Sequence, residues 1–198
     1  NKYFPVANFE SEPWWGGSYE GIHNSYQVFN FYGEDFLFVN VQSHDPWGTD
    51  NPGARAWANG VIAAHPEHKV LLGTHETLET STIKRDILTQ HDNIVLSNAG
   101  HSCARETRFL TFGPNGGVAQ NFVVDYQCDK QELMLLRYYV FRPLEDRVDY
   151  YTYSPIADIF EEDANSQGSF DLEMRDDIDT AVVNSPWSWI KAKLRLSR

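Results

Sequence analysis

Two short apolar runs, HKVLLGTH (residues 68–75) and NIVLSNAGH (residues 93–101), constrain the fold of this 198-residue chain most tightly. Each is compact and rich in branched residues, as buried strands are. Each ends in a histidine with a glycine close before it, Gly73 ahead of His75 and Gly100 ahead of His101. Between them ETSTIKRDILTQH (residues 79–91) has helical spacing, with Ile83, Ile87 and Leu88 inward and Thr80 or Ser81 as cap. Strand, helix, strand in that order is a βαβ unit, so the two strands are predicted to be parallel and adjacent. Adjacent strands lie about 4.8 Å apart. His75 and His101, at equivalent strand ends, are thus placed to share one metal ion, outside the carboxyl ends where α/β sites form. Taken singly, either histidine reads as a polar strand cap.

The flanking segments extend this unit. Residues 1–24 have no clear period and read as an ordered, aromatic-rich loop. SYQVFNFY (25–32) and DFLFVNVQ (35–42) read as a hairpin turning at Gly33-Glu34. NPGARAWANGVIAAHP (51–66) is predicted helical, with Ala54, Trp57, Val61 and Ala64 on one face and Pro66 at its end. From about residue 107 the pattern is β throughout. TRFLTFG, GVAQNFVVDYQ, ELMLLRYYVFRP and DRVDYYTYSP are joined by short connections, which predicts an antiparallel meander. The expected fold class is α/β (α+β): a mixed sheet or two-sheet sandwich with helices outside.

Charge narrows the function. Sixteen Lys and Arg face 28 Asp and Glu, a formal net charge of -12. A phosphate-backbone binder needs clustered cations, so no nucleic-acid partner is expected. The acids concentrate in residues 145–179, twelve of them against Arg147 and Arg175, whereas the last eight residues carry Lys191, Lys193, Arg195 and Arg198 without an acid. The first reads as a solvated flank. The tail SPWSWIKAKLRLSR could also form an amphipathic helix for a partner or an anionic surface. No apolar run is long enough for a transmembrane helix. GxSxG, P-loop, dinucleotide and paired-cysteine metal motifs are absent from the sequence.

KVLLGTH and NIVLSNAGHSCARETRF resemble the last two metal-ligand motifs of calcineurin-like metallophosphoesterases, a strand-end histidine followed by Gly-His-x-His. The likeness extends to WWGGSYEG, NSYQVFNFYGEDFLFVNVQ and the Trp-bearing helix, which look like the mid-portion of secreted bacterial members, and to VVDYQCD and YYTYSP, which look like their closing strands. It covers roughly residues 1–155. It implies an αββα sandwich, of which this chain is the C-terminal half, and a centre of one or two Fe, Mn or Zn ions acting on phosphate esters. By the resemblance His75 and His101 are metal ligands and catalytic-site residues. Arg105 is a candidate phosphate clamp, with a structural salt bridge as its alternative.

Two departures stand out. The second histidine of Gly-His-x-His is Cys103 here, which reads either as a thiolate ligand or as the partner of Cys128 in a disulfide. The family's N-terminal motifs, Asp-x-His, Gly-Asp and Gly-Asn-His-Asp/Glu, do not occur; His23-Asn24 and His44-Asp45 offer the residue types in the wrong order. The expected partner is therefore an N-terminal half of the same precursor, or a second chain in a heterodimer. The start at Asn1 fits a cleaved or split product, secreted or periplasmic. The alternative function is a non-catalytic binding or structural subunit that keeps the fold. Expected boundaries are 1–175 for the family-like portion and 176–198 for an extension. DANSQGSFDLEM (163–174) matches a calcium loop at Asp163, Asn165, Gln167 and Gly168 but ends in Met174 where a bidentate Glu belongs. Trp14, Trp15 and Trp47 could rim a pocket, although packing is the default for tryptophan.

Overall fold

The computed structural model describes residues 3–42, 44, 50–76, 82–103, 105–128 and 130–174, with Arg105 described in its backbone alone. Eleven strands and one α-helix are present among them: β1 Trp15–Tyr19, β2 Asn24–Phe31, β3 Glu34–Val41, α1 Pro52–Ala63, β4 Lys69–Thr74, β5 Ile94–Ala99, β6 Arg105–Phe112, β7 Val118–Asp125, β8 Leu136–Arg142, β9 Arg147–Ser154, β10 Ile159–Glu161 and β11 Gln167–Asp171. The architecture is mixed α+β, dominated by a seven-stranded sheet in the order β1-β2-β3-β4-β5-β7-β6. β3, β4, β5 and β7 are parallel in sequence around its centre, and β1, β2 and β6 are antiparallel additions at its edges. A smaller sheet is built on β9, with β8 on one side and β10 and β11 on the other.

Local chemistry accounts for most of these elements. The β2–β3 turn uses Tyr32 and Gly33, with φ of 54° and 84°. Two positive φ values match the twist of a tight hairpin, so the turn lies one residue earlier than Gly33-Glu34. Asn51 caps α1 by accepting from the Ala54 amide at 3.0 Å, and Pro52 occupies the first turn. The buried face of α1 is Ala54, Arg55, Ala58 and Ile62. Trp57 and Val61 pack at its margin and Ala64 is exposed, a rotation from the expected stripe. Arg55 turns inward because two carboxylates receive it, as set out below. The second helical segment is described from Thr82 and becomes a π-helical turn, Lys84–Leu88. Ile83, Ile87 and Leu88 are buried as the spacing predicted; the cap candidates Thr80 and Ser81 lie outside the described residues.

Three layers result. Leu37, Val39, Val70, Leu72, Ala119 and Val123 of the large sheet pack against α1 and the π-helical turn. Leu96 and Phe122, on the opposite face, pack against Val148, Tyr150 and Phe170 of the small sheet. β5 serves both layers because its register slips opposite Val70 and Leu71. One extra residue reverses the side-chain phase. Ile94 therefore joins the helix-side core, while Leu96 joins the other.

The second half departs from a simple meander. β6 and β7 form a hairpin in the large sheet, and β7, not β6, lies beside β5. β8 and β9 form a separate hairpin in the small sheet. The segment 126–135 crosses between sheets, so its shortness does not signal a hairpin. The first 24 residues are not wholly loop, since Trp15–Tyr19 pairs with β2 across a bulge at Gly16. Residues 175–198, including the basic tail, lie outside the described residues.

Asp92 ties the β5 approach to the β6–β7 turn. Its Oδ1 accepts from the Asn115 amide at 2.8 Å and the Gly117 amide at 2.9 Å, and its Oδ2 from Asn115 Nδ2 at 2.7 Å. A Cβ on Gly117 would come within 2.1 Å of the Asp92 carbonyl oxygen, so the close approach requires glycine. The Gly117 amide, then the Asn115 groups, hold the Asp92 carboxyl below its ordinary value. A depressed folded-state pKa contributes stability that is complete above the unfolded value of about 3.9 and lost as pH falls through the folded one. Urea midpoints measured from pH 5 down to 2.5 should therefore fall less steeply for Asp92→Asn, which keeps an acceptor, than for the parent. Identical acid limbs would show that this carboxylate does not titrate with folding.

Candidate functional site

The parallel strands deliver the two histidines to one place. β3, β4, β5 and β7 run side by side, and His75 follows the end of β4 as His101 follows the end of β5. His75 Nε2 lies 2.7 Å from His101 Nδ1, with the ring centroids 4.5 Å apart. Two nitrogens on a single tetrahedral zinc, each at about 2.05 Å, stand roughly 3.3 Å apart. A small outward turn of these rings would reach that spacing. His101 has φ of 56°, a left-handed conformation that a side chain seldom adopts. Six other described residues that are not glycine share it, Tyr32 in the β2–β3 turn among them, so it marks a tight turn after β5.

The histidines fit a metal as two ligands, not as a full set. Among the described residues no cluster of three or more His, Cys, Asp or Glu is arranged to hold an ion. Cys103 and Cys128 are joined in a disulfide, with Cα atoms 5.0 Å apart. In this arrangement the sulfurs face each other and not a metal, and a bonded sulfur cannot ligate as thiolate. The bridge fastens the His101 loop to the chain leaving β7. The loop has a second tie, as the Ser102 amide donates to Asp125 Oδ2 at 2.7 Å.

His75 opens onto a cavity of about 570 Å³ at the carboxyl ends of the parallel strands, between the two sheets. His23, Asn40, Asn98, Arg137 and Tyr139 share its lining. Gly73 leaves room there for the Asn40 amide: a Cβ would sit 2.6 Å from Asn40 Oδ1, so that side chain would have to turn away. The bulge in β5 turns Asn98 toward the small sheet, where the Tyr139 hydroxyl donates to its Oδ1 at 2.5 Å. Burial pushes the Tyr139 hydroxyl well above the usual phenol range, which keeps it a proton donor. Behind it, Glu106 accepts from Tyr126, Arg137, Thr152 and Ser166. The Tyr126 hydroxyl is pushed up to about 12, mainly by burial. A second cavity, of about 460 Å³, lies across His75 and is lined also by His101, Asp125 and Lys130.

The remaining sequence candidates fall out differently. His44 is taken by Glu76, which its Nδ1 meets, and by Asp50 at 3.9 Å; it does not line the His75 cavity. His23 does line it, which residue order alone did not favour. The side chain of Arg105 lies outside the described residues, as do Asp45 and Trp47. Trp14 and Trp15 pack with Phe9 in an aromatic cluster and do not line the cavity. The 163–174 segment is not a calcium loop. The Asp163 carboxylate is occupied by the Asn165 and Ser166 amides, Gln167–Asp171 is strand β11, and Met174 is buried in the second core.

Sequence reasoning missed Asn40, Asn98, Arg137 and Tyr139. A signal existed for the last two. By the period of two, Arg137, Tyr139 and Phe141 share one face of β8, so an arginine sits in phase with two aromatics.

No helix among the described residues is long and apolar enough to cross a membrane. The chain matches no family model. It is 28% identical over 168 residues to the uncharacterized protein YvnB of Bacillus subtilis (strain 168), in a match that takes in 78% of this chain and 13% of that protein. The chain thus spans a small fraction of the length of the relative it matches.

Proposed function

We propose that this chain supplies part of the metal centre of a phosphoesterase of the calcineurin-like type, with His75 and His101 as ligands to one Fe, Mn or Zn ion. The observation that carries the reading is the 2.7 Å approach of His75 Nε2 to His101 Nδ1 at the ends of neighbouring parallel strands. The layering of helix, large sheet and small sheet fits three layers of the αββα sandwich expected from the resemblance. When bound, a metal supplies Lewis acidity and an activated water for attack on phosphorus. The chain's own contribution is to present two imidazoles at fixed separation, to anchor the His101 loop through the Cys103–Cys128 bridge, and to shape the adjoining cavity. The remaining ligands come from an N-terminal half of the same precursor or from a partner chain, and the setting is secreted or periplasmic, where the bridge persists. A non-catalytic subunit is the second reading, favoured by the lack of a third ligand among the described residues.

Metal analysis tests the assignment. In equilibrium dialysis against Zn or Mn the parent chain should take up about one ion weakly, as a two-ligand site does, and His75→Ala and His101→Ala should each weaken uptake at least about tenfold, since even outer-shell changes cost that much. Hydrolysis of p-nitrophenyl phosphate by this chain alone should be slow or undetectable, since a two-metal site needs bridging carboxylates. Equal metal content in the parent and the double variant would remove the proposal.

A further inference from the structure

We infer that the open edge of β8 takes one further strand, laid antiparallel to β8 and over β2, whose carboxyl end delivers carboxylates to the His75 cavity. The inference rests on the proposed centre needing ligands from outside this chain, and it names the surface and the direction by which they enter. The two sheets do not match in width. Arg108 of β6 reaches the Ser169 carbonyl oxygen of β11 at 3.2 Å, and Phe36 of β3 meets Phe141 of β8 with ring centroids 5.5 Å apart. The small sheet therefore covers the large one from β6 to β3 and stops at β8, while the large sheet runs on through β2 and β1. Just past that limit Phe29, stacked on Phe36 at 5.5 Å, and Phe31 are 39% and 41% exposed. Both lie on the face of Phe36, because Phe29 is its register partner and side chains two residues apart in a strand point alike.

β8 pairs with β9 in unbroken register from Leu136 to Arg142, and its other side meets no strand among the described residues. Sheet edges are ordinarily blunted by a bulge, a lysine, a proline or shortness. β1 has its bulge and β10 spans only Ile159–Glu161, whereas β8 has none of these devices. β6 is also open, but none of its residues lines the His75 cavity. Neighbouring strands stand about 4.8 Å apart and packed sheets about 10 Å, so a strand added to β8 would lie over β2 and cover Phe29 and Phe31. Its direction follows from β8. Tyr139 meets Asn98 near the end of β5, and Phe141 meets Phe36 near the start of β3, so β8 runs counter to the parallel strands. An antiparallel neighbour of β8 therefore runs with β3 and ends at the cavity. There His75 and His101 lack carboxylate partners, and the described lining holds His23, His75 and Arg137 but no Asp or Glu. Incoming carboxylates meet a complementary charge. A second copy joined through β8 would instead bring Arg142 to that end and set a net charge of -12 against -12. The occupant is thus an extended segment from outside this chain, apolar on alternate residues and carboxylate-bearing at its carboxyl end.

The test uses the protein expressed from its intact gene in the native host and isolated without proteolysis, with the chain of residues 1–198 as reference. In EDTA, amide deuterium exchange over Leu136–Arg142 should be at least about tenfold slower in the native protein than in the reference, with Arg105–Phe112 unchanged. A photoreactive p-benzoyl-phenylalanine in place of Phe31 should crosslink to a segment outside residues 1–198 that alternates apolar residues and closes on Asp or Glu. The same group in place of Phe112, an exposed residue of β6, should not reach that segment. Equal exchange in the two samples overturns the inference. So does no crosslink from Phe31, or one to residues 175–198, to a second copy in an isotope-mixed sample, or to a segment without carboxylates. Because both readouts are taken without metal, strand addition can hold where the two histidines take up no ion, and metal uptake can hold where no strand is added.

Discussion

Phe122→Ala should lower the unfolding free energy by about 3–5 kcal/mol, the range for removing a fully buried aromatic ring. Phe122 is 0% exposed and stands where the two sheets meet. Its ring packs edge-on against Tyr139 at 5.4 Å and Tyr150 at 4.9 Å, with Phe170 at 6.2 Å. Arg108 and Arg137 approach it at 5.8 and 5.5 Å. Truncation would open a void that β7 and β9 cannot both move to fill, because each is hydrogen-bonded on two sides. Urea denaturation followed by tryptophan fluorescence and far-UV dichroism reads the loss. A change below about 1 kcal/mol would mean that the sheets do not share this core.

Arg55→Ala is the second large effect, about 2 kcal/mol, within the range for losing hydrogen bonds to charged groups. The Arg55 side chain is 7% exposed. Its Nη1 and Nη2 take both oxygens of Asp50 at 2.5 and 3.0 Å, and its Nε takes Asp86 at 3.0 Å. The cost stays at the lower end because Asp50 is half exposed and Asp86 keeps Arg85. The bond from Arg55 holds the Asp50 carboxyl below its usual range, and the bond from Arg85 does the same for Asp86. Arg55→Met, which retains the packed stem, should recover part of the loss. Equal losses for alanine and methionine would assign the effect to charge alone. Asp50 also bridges to His44, whose ring meets Glu76, the residue after His75.

What could be read from sequence followed from periodicity. The runs at 69–74 and 94–99 were legible because each holds a compact group of apolar residues and a helical spacing separates them. That was enough to bring His75 beside His101. β1 was illegible because the bulge at Gly16 breaks its alternation. The place of β7 beside β5 was illegible for another reason. The Pro-Asn-Gly-Gly turn predicts that β6 and β7 pair, but not which of them docks on the parallel strands. The cavity wall was hidden because it joins residues from β3, β5 and β8, and no local spacing links Asn40, Asn98 and Arg137.

The strand order β5-β7-β6 bears on how the chain is made. A ribosome completes β5 at Ala99, but the neighbour that covers its outer edge is not finished until Asp125. During that interval the edge of β5 presents unpaired amides and carbonyls, and β6 is the strand at hand. β6 ends up antiparallel to β7 at the rim of the sheet, so any early pairing with β5 would have to be undone. Closing the hairpin of β6 and β7 first would let it dock as one piece, with Asp92, just ahead of β5, gripping its turn.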